Sequence, residues 1–141
     1  MHSAFAWFFL SMKGRIGRQE FALGLFGLVL IDMLVARIGP RLENSSPLYY
    51  TVRPPPLDWS VTHLLIVVSL WSFVAIVVKR LHDLNLSGWW MLAFLAIPHL
   101  TKALAVPGWI PHLLIAATLC ALPGRPGDNR FGSDPLSHAG L

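Results

Sequence analysis

The stretch VTHLLIVVSLWSFVAIVV, residues 61–78, decides the fold class of this chain, and KRLHD, residues 79–83, follows it directly. The 18 residues of the first stretch include no Asp, Glu, Lys or Arg. A helix of this length and composition suits the hydrocarbon core of a bilayer, which is about 30 Å thick. Its abrupt end at Lys79 and Arg80 is typical of a segment that leaves the membrane. We therefore predict a transmembrane helix over residues 61–78.

The composition extends this interpretation from one segment to the whole chain. Of the 141 residues, 55% are hydrophobic and 13% are charged, against about 25% charged in an ordinary soluble domain. The hydrophobic residues lie in long blocks and lack the alternating polar positions that a soluble domain turns toward water. We therefore predict an all-α fold, a polytopic membrane protein in which about four short transmembrane helices form one bundle.

Three further hydrophobic blocks predict the remaining spans, at residues 21–38, 89–106 and 109–122. The first of them contains two charges, Asp32 and Arg37, and the second contains Pro98, which predicts a kink. The last block corresponds to about 21 Å of helix, which is short for a full crossing. Residues 89–122 therefore predict either two full spans or a re-entrant hairpin.

The segments outside the blocks complete a single membrane domain, 1–141. Residues 1–20 begin with an aromatic stretch that no Lys or Arg precedes, which predicts an interfacial N-terminal segment and no cleavable signal. Residues 39–60 include three consecutive prolines at 54–56, so we expect a loop outside the membrane and no regular helix. Residues 123–141 follow the last block and predict a turn and a tail.

The basic residues predict the orientation, because Lys and Arg are retained preferentially in cytoplasmic loops. With four spans, seven basic residues lie on the side of both termini: Lys13, Arg15, Arg18, Lys79, Arg80, Arg125 and Arg130. Four lie on the other side: Arg37, Arg41, Arg53 and Lys102. We therefore expect the N- and C-termini in the cytoplasm. The formal charge of +4 predicts anionic lipid headgroups as the counter-charge and not nucleic acid, since the basic residues lie at block edges.

Three polar segments border the blocks, at residues 13–20, 79–90 and 123–132, and this topology places all three in the cytoplasm. Arg15 and Arg18 are three residues apart, a spacing that presents two guanidinium groups on one side of a helical turn to phosphate or carboxylate. A plain basic anchor that touches lipid phosphates is the alternative. The candidate residues for binding a headgroup or a partner protein are Arg15, Arg18, Arg80, His82, Asp83, Asn129 and Arg130.

His82 and Asp83 raise the question of catalysis, because a neighbouring His and Asp resemble a fragment of a metal-dependent phosphohydrolase. Such a site needs further His and Asp ligands, and the other histidines do not supply a set, so we predict no metal and no cofactor. Adjacent side chains usually diverge, which makes His82 and Asp83 a poor acid–base pair unless the loop turns sharply. No catalytic residue is assigned, and we expect Asp83 to accept hydrogen bonds from loop amides or to cap a turn.

Asp32 is the polar residue that costs most inside a membrane. It lies about 16 Å along the helix from Phe21, near the bilayer midplane, where a carboxylate usually faces a partner or water. Ser69 and Ser72 are at a similar depth in the block at 61–78 and are its candidate hydrogen-bond donors. A protonated, structural Asp32 and a proton or ion relay both fit this position.

The polar segments also carry a resemblance to a known family. The residues concerned are Gly14, Arg15, Arg18, Glu20 and Phe21, then RLHD at 80–83 and SGWW at 87–90, then Pro123, Gly124, Gly127 and NRFG at 129–132. In this order they resemble the bacterial inner-membrane proteins of the domain of unknown function 805 family, over nearly the whole chain. Departures from the family pattern are Lys79, where a second arginine is usual, and Ala22, where an aromatic residue is common. The resemblance implies a multi-span inner-membrane fold and no particular activity.

Three functions remain open at this point. The leading hypothesis is a non-enzymatic membrane component whose arginine-rich cytoplasmic face binds lipid headgroups or a partner protein. The alternative is a small transporter or channel that uses Asp32, which with four short spans would need to form a homo-oligomer to enclose a pathway. An interfacial enzyme that uses His82 with Asp83 is the third.

Overall fold

The computed structural model describes residues 4–44, 57–102 and 105–137, with side chains described for 4–37, 63–97, 99–101 and 105–137. The described residues form five helices, and their only β-type pairing is an isolated bridge between Asn129 and Gly132. The helices are α1 (Ala4–Leu10), α2 (Arg18–Asn44), α3 (Leu57–Asp83), α4 (Trp90–Lys102) and α5 (Trp109–Ala121). The predicted all-α class is confirmed for this part of the chain.

The two long helices, α2 and α3, have 27 residues each, which corresponds to about 40 Å of helix. Their segments Arg18–Arg37 and His63–Asp83 are long and apolar enough to cross a membrane. The two helices pack side by side and run antiparallel, because Gly24 lies beside Ile76 and Asp32 lies beside Ser69.

Both long helices extend beyond the hydrophobic blocks that predicted them. α2 continues past Ile38 and through Pro40 to Asn44, and α3 begins at Leu57. The loop predicted over 39–60 is therefore too long at both ends. Proline removes one backbone donor, and a helix of this length tolerates that loss where neighbouring groups satisfy the freed carbonyl. The central part of the predicted loop, with its other prolines, lies outside the described residues.

The two short helices, α4 and α5, have 13 residues each, or about 20 Å. They form a hairpin whose two ends lie where α3 ends, because the amide of Arg125 donates to the backbone carbonyl of Asp83 at 2.9 Å. Both helices are apolar, but of the described helices it is α2 and α3 that reach the length of a membrane span. The structure thus gives a helical bundle with two span-length helices and a short hairpin.

Polar and apolar side chains are distributed in the opposite sense to that of a soluble protein. Lys79 and Arg80 are fully buried and Asp83 is 2% exposed, whereas Leu23 is 72% and Val67 is 62% exposed. Soluble proteins seldom bury charged side chains and cover their large apolar surfaces. Lipid is the solvent in which the outward-facing Leu and Val side chains are stable, so this packing agrees with a membrane protein.

The tightly packed core lies at the same end of the bundle as the buried charges. Its members with at most 1% exposure are Ile16, Phe21, Ala75, Ile76 and Leu81. These residues come from the segment before α2, from the start of α2 and from the last three turns of α3. The core therefore fixes the end of α3 against the N-terminal part of the chain, and this is where the polar segments meet.

Candidate functional site

The three polar segments meet around the carboxylate of Asp83, the last residue of α3. Arg15 donates to Oδ1 of Asp83 from Nε at 3.2 Å and from Nη2 at 3.0 Å. Arg80 donates from Nη1 to Oδ2 of the same carboxylate. We call Arg15, Arg80 and Asp83 the Asp83 cluster. Its contacts confirm that the polar segments gather at one place, and they show that Asp83 accepts from guanidinium groups where loop amides were expected.

Arg15 directs its whole guanidinium group toward the protein. Besides its two bonds to Asp83, Nη1 donates to Gly127 O at 2.6 Å and to Gly132 O at 3.3 Å, and Nη2 donates to Arg125 O at 2.6 Å. A guanidinium group has five N–H donors, and these contacts use one from Nε, two from Nη1 and two from Nη2. Arg15, which is 5% exposed, therefore holds the C-terminal turn and has no donor left for a headgroup.

The spacing of Arg15 and Arg18 does not produce the predicted pair of guanidinium groups on one helical turn. Arg15 precedes α2, whereas Arg18 is its first residue and is exposed. The helix begins there because the carboxylate of Glu20 accepts a hydrogen bond from the amide of Gly17 at 2.8 Å, one half of a capping box. The two arginines consequently have different surroundings and different roles.

Arg80 joins the end of α3 to the end of α5. Its Nε donates to Leu119 O at 2.9 Å and its Nη2 donates to Leu122 O. Carbonyl groups at the C-terminus of a helix lack helical partners and carry the negative end of the helix dipole. A buried cation at this position satisfies those carbonyls and at the same time neutralises Asp83.

Lys79, the residue next to Arg80, plays the same part for α1. Its Nζ donates to Trp7 O at 2.8 Å and to Phe8 O, and lies 4.5 Å from the centre of the Trp7 ring. Sequence reasoning treated Lys79 as a charge at the membrane edge and missed this contact. One signal pointed to it: the last turn of α1 has no basic residue of its own, so its carbonyls need a donor from elsewhere.

The cluster fits together because residue 124 is a glycine. A Cβ atom at Gly124 would contact both carboxylate oxygens of Asp83, so a side chain there would displace the carboxylate from its guanidinium partners. Two guanidinium groups and one carboxylate leave an excess positive charge, and the carbonyl oxygens that surround Arg15 and Arg80 compensate for it. Ion pairs this well enclosed are stable only when every donor has such a partner.

His82 is directed away from the carboxylate of its neighbour Asp83. Its Nδ1 lies 3.2 Å from Gly14 O, and its ring stacks on Phe131 with 3.9 Å between centroids and 4° between planes. Asn129 adds a hydrogen bond from Nδ2 to the His82 carbonyl at 2.9 Å. The two neighbours therefore do not form an acid–base pair, because the carboxylate is engaged in the Asp83 cluster.

Exposed basic residues surround the buried cluster. Arg18 lies at the start of α2, and Arg130 lies over the Phe131 ring with its Cζ 4.6 Å from the ring centre. Lys13 and Arg125 are exposed at the same end of the bundle. The predicted set of binding residues therefore has three parts: buried Arg15, Arg80 and Asp83 join the segments, His82 and Asn129 are half-buried, and Arg18 and Arg130 are exposed.

Asp32 and Ser69 form the predicted polar contact between α2 and α3. The Ser69 hydroxyl lies 2.9 Å from each oxygen of the Asp32 carboxylate. Ser72 is 3% exposed and is not a partner of Asp32 among the described hydrogen bonds. Asp32 itself is exposed on the surface of the single chain. No three His, Cys, Asp or Glu side chains in the described part are arranged to hold a metal ion.

The fold and the site define a class of protein: a helical membrane protein whose polar end segments are joined by buried cations at the end of a long helix. The chain belongs to the family described as "Protein of unknown function (DUF805)", whose model matches residues 9–133. This confirms the family resemblance that the polar segments carry.

Similar proteins of Escherichia coli strain K12 cover almost the same length. The chain is 40% identical to "Inner membrane protein YhaH" over 127 residues, which are 90% of this chain and 88% of that protein. It is 32% identical to "Inner membrane protein YhaI", over 90% of this chain and 87% of that protein. It is 31% identical to "Uncharacterized protein YiiR", over 91% of this chain and 87% of that protein. No solved structure matches the chain. Two of these relatives are named inner membrane proteins, which supports the bacterial inner membrane as the location of this chain.

Proposed function

We propose that this protein is a non-enzymatic component of the inner membrane whose exposed arginines bind anionic lipid headgroups. The observation that carries the proposal is the division of the basic residues. Buried Arg15 and Arg80 saturate protein acceptors and join the polar segments, while exposed Arg18 and Arg130 lie on the segments that are joined. The Asp83 cluster thereby holds the exposed cations on one surface, where each interacts with anionic lipid.

The proposal includes a multi-pass topology with both termini in the cytoplasm. Its support is the excess of basic residues at the end of the bundle where the polar segments meet. The α4–α5 hairpin returns to that end whether it crosses a locally thinned bilayer, which gives four spans, or re-enters from the same side. Cysteines introduced at Ser45, Asn85 and Ser137 in a Cys120→Ser background test this topology. A Ser45→Cys variant that is labelled from the cytoplasmic side contradicts it.

The lipid contact is tested by mass spectrometry of lipids retained by the full-length protein after extraction with detergent. Arg18→Gln combined with Arg130→Gln is compared with Arg37→Gln, which removes an exposed arginine toward the other end of α2. Basic residues near an anionic surface contribute about 1 kcal/mol each, so we expect about a fivefold loss of anionic lipid enrichment for each arginine removed.

The control variant Arg37→Gln should retain the enrichment of the unmodified protein. Equal enrichment in the double variant and in the control contradicts lipid binding by these two arginines. Proteomics of the same samples tests whether the exposed arginines bind a partner protein. A protein that co-purifies with the unmodified chain and is lost from the double variant would show that the surface binds a partner protein in place of lipid.

A small oligomeric transporter or channel is a second candidate, and one observation favours it. The Asp32 carboxylate lies on the exposed side of α2 beside Ser69, and an intramembrane carboxylate normally faces water or another protein group and not lipid. A second copy of the chain would cover it and enclose a pathway. Reconstituted protein should then show an ion flux that Asp32→Asn abolishes and Asp128→Asn leaves unchanged. Absence of an Asp32-dependent flux across a panel of ions removes this candidate.

A further inference from the structure

An open groove of about 390 Å³ lies between α3 and α4, beside His82. Its walls are apolar and include Val74, Val78 and Leu92, whereas His82 and Ser87 form a polar end. Val78 and Val74 precede His82 on α3 by one and two helical turns, so the apolar walls extend from the polar end into the span. This arrangement has the polarity of a membrane lipid, with one polar end and one apolar end.

The tautomer of His82 defines what the polar end can bind. Gly14 O can only accept a hydrogen bond, so Nδ1 of His82, 3.2 Å away, carries the proton. The other ring nitrogen, Nε2, would lie 3.8 Å from a Cβ atom at Gly88, which also lines the groove. No described side-chain nitrogen or oxygen is both buried and without a partner. Nε2 therefore lies on the side of the ring toward Gly88, and in the neutral ring it accepts a hydrogen bond.

A cation and two tryptophans lie next to this polar end. The Arg130 guanidinium lies over Phe131, whose ring stacks on His82, so Phe131 contacts both the cation and the imidazole ring. Trp89 is 78% and Trp90 is 53% exposed, and exposed tryptophans of membrane proteins lie at headgroup depth. The groove thus offers an apolar wall and a hydrogen-bond acceptor, with a positive charge nearby on Arg130.

We propose that this groove binds one glycerophospholipid whose headgroup carries a negative phosphate and a free hydroxyl. An acyl chain lies along Val74 and Val78, the headgroup hydroxyl donates to Nε2 of His82, and the phosphate faces Arg130. The inference rests on the proposed binding of anionic lipid and adds a specific site and a lipid class. Phosphatidylglycerol has both required groups, whereas phosphatidylmethanol has the same charge and no hydroxyl.

The test uses the full-length protein in bilayer discs of phosphatidylcholine that contain equal amounts of phosphatidylglycerol and phosphatidylmethanol. Native mass spectrometry then counts the lipids that remain bound after the disc is removed. The unmodified protein should retain one phosphatidylglycerol in preference to phosphatidylmethanol by about threefold to tenfold, the contribution of one hydrogen bond. Equal retention of the two anionic lipids overturns the proposal.

Two variants assign the preference to the groove. His82→Asn keeps an amide nitrogen near the position of Nδ1, which can still donate to Gly14 O, but has no atom at the position of Nε2. It should lose the preference for phosphatidylglycerol. Leu92→Trp enlarges an exposed lining residue and should eliminate the retained lipid without a change in the core. The proposal is overturned if His82→Asn still prefers phosphatidylglycerol or if Leu92→Trp still retains one lipid.

The outcomes also separate this site from the wider proposal. If anionic lipids still depend on Arg18 and Arg130 while phosphatidylglycerol and phosphatidylmethanol bind equally, the exposed surface binds lipid and the groove does not select it. If the unmodified protein enriches no anionic lipid over phosphatidylcholine, both proposals fail together. A preference lost in His82→Asn, with general enrichment of anionic lipid retained, supports the groove site.

Discussion

Arg15 and Asp83 are 68 positions apart in the sequence, and their side chains meet at 3.0 Å in the interior of the protein. The contact joins the segment before α2 to the end of α3, and the same arginine holds the C-terminal turn through Gly127 and Arg125. One side chain therefore connects all three polar segments. Because the contact is enclosed, its removal should affect the fold before it affects any binding surface.

Asp83→Asn should destabilise the protein strongly. The substitution removes the only carboxylate that Arg15 and Arg80 contact among the described residues and leaves two buried guanidinium groups without a counter-charge. Removing one partner of a buried ion pair costs about 3–5 kcal/mol. The free energy of unfolding, measured by titration with a denaturing detergent, should fall by that amount.

Asp128→Asn is the matched control for this change. Asp128 is exposed, and its Oδ1 accepts a hydrogen bond from the amide of Asp134 at 3.1 Å, which an asparagine oxygen can also accept. The free energy of unfolding of this variant should lie within about 0.5 kcal/mol of that of the unmodified protein. If Asp83→Asn and Asp128→Asn had the same stability, the Asp83 cluster would not hold the polar segments together.

Gly124→Ala should weaken the same cluster by steric overlap. A Cβ atom at this position would displace the Asp83 carboxylate, and overpacking of a dense site costs typically about 1–3 kcal/mol. The control is Gly108→Ala, since a Cβ atom at Gly108 would meet nothing within 4 Å. The thermal unfolding midpoint of Gly124→Ala should be clearly lower than that of Gly108→Ala. A lower midpoint in Gly108→Ala would show that Gly124 does not need to lack a side chain.

The sequence predicts the long helices and the meeting of the polar segments. Both predictions follow from the position of the hydrophobic blocks along the chain. The block at 61–78 has no charged residue and lies within α3. The return of Pro123 to the side of Trp89 follows from any hairpin made by the last two blocks. Helix ends are less predictable, since hydropathy marks only the part of a helix that contacts lipid and α2 continues through Pro40.

The partners of the polar side chains were not predictable from the sequence in the same way. Arg15 and Arg18 are both basic residues before an apolar block, but the first is buried against Asp83 and the second is exposed. That difference arises from the C-terminal turn, which is more than 100 positions away: Arg15 and Arg125 are separated by 110. Lys79 illustrates the same point, because its acceptors lie on α1.

Lys79→Met should release α1 from the end of α3. The variant keeps most of the side-chain length but loses the hydrogen bonds to Trp7 O and Phe8 O. Hydrogen bonds from a charged donor contribute about 2 kcal/mol, so amides of α1 should exchange with solvent deuterium roughly thirtyfold faster. Lys79→Arg should retain slow exchange, and so should Lys13→Met, which changes an exposed lysine. Unchanged exchange in Lys79→Met would show that α1 docks without this cation.

The C-terminal turn should depend on pH through Asp134. Its carboxylate accepts hydrogen bonds from the amides of Leu136 at 2.9 Å and Gly127 at 2.8 Å, and these hold the pKa of Asp134 below its ordinary value of 3.8. A lowered pKa means that the turn gains stability above the ordinary value and loses it as the pH falls through the lower, folded-state value. The amide chemical shifts of Gly127 and Leu136 report this titration. Asp134→Asn should abolish it, and a midpoint above 3.8 in the unmodified protein would contradict the contacts.

Gly24 and Gly27 offer the sharpest test of how α1 packs against α2. Both glycines lie inside α2, but a Cβ atom at Gly24 would approach a Phe8 ring carbon of α1 to 2.8 Å and Ile76 to 3.2 Å, whereas one at Gly27 would meet nothing within 4 Å. Gly27→Ala should therefore stabilise α2 by up to about 1 kcal/mol through helix propensity. Gly24→Ala gains the same propensity but must displace the Phe8 ring, so it should accelerate deuterium exchange in α1 and lower the free energy of unfolding. If both substitutions stabilised the protein equally, Phe8 of α1 would not pack against Gly24.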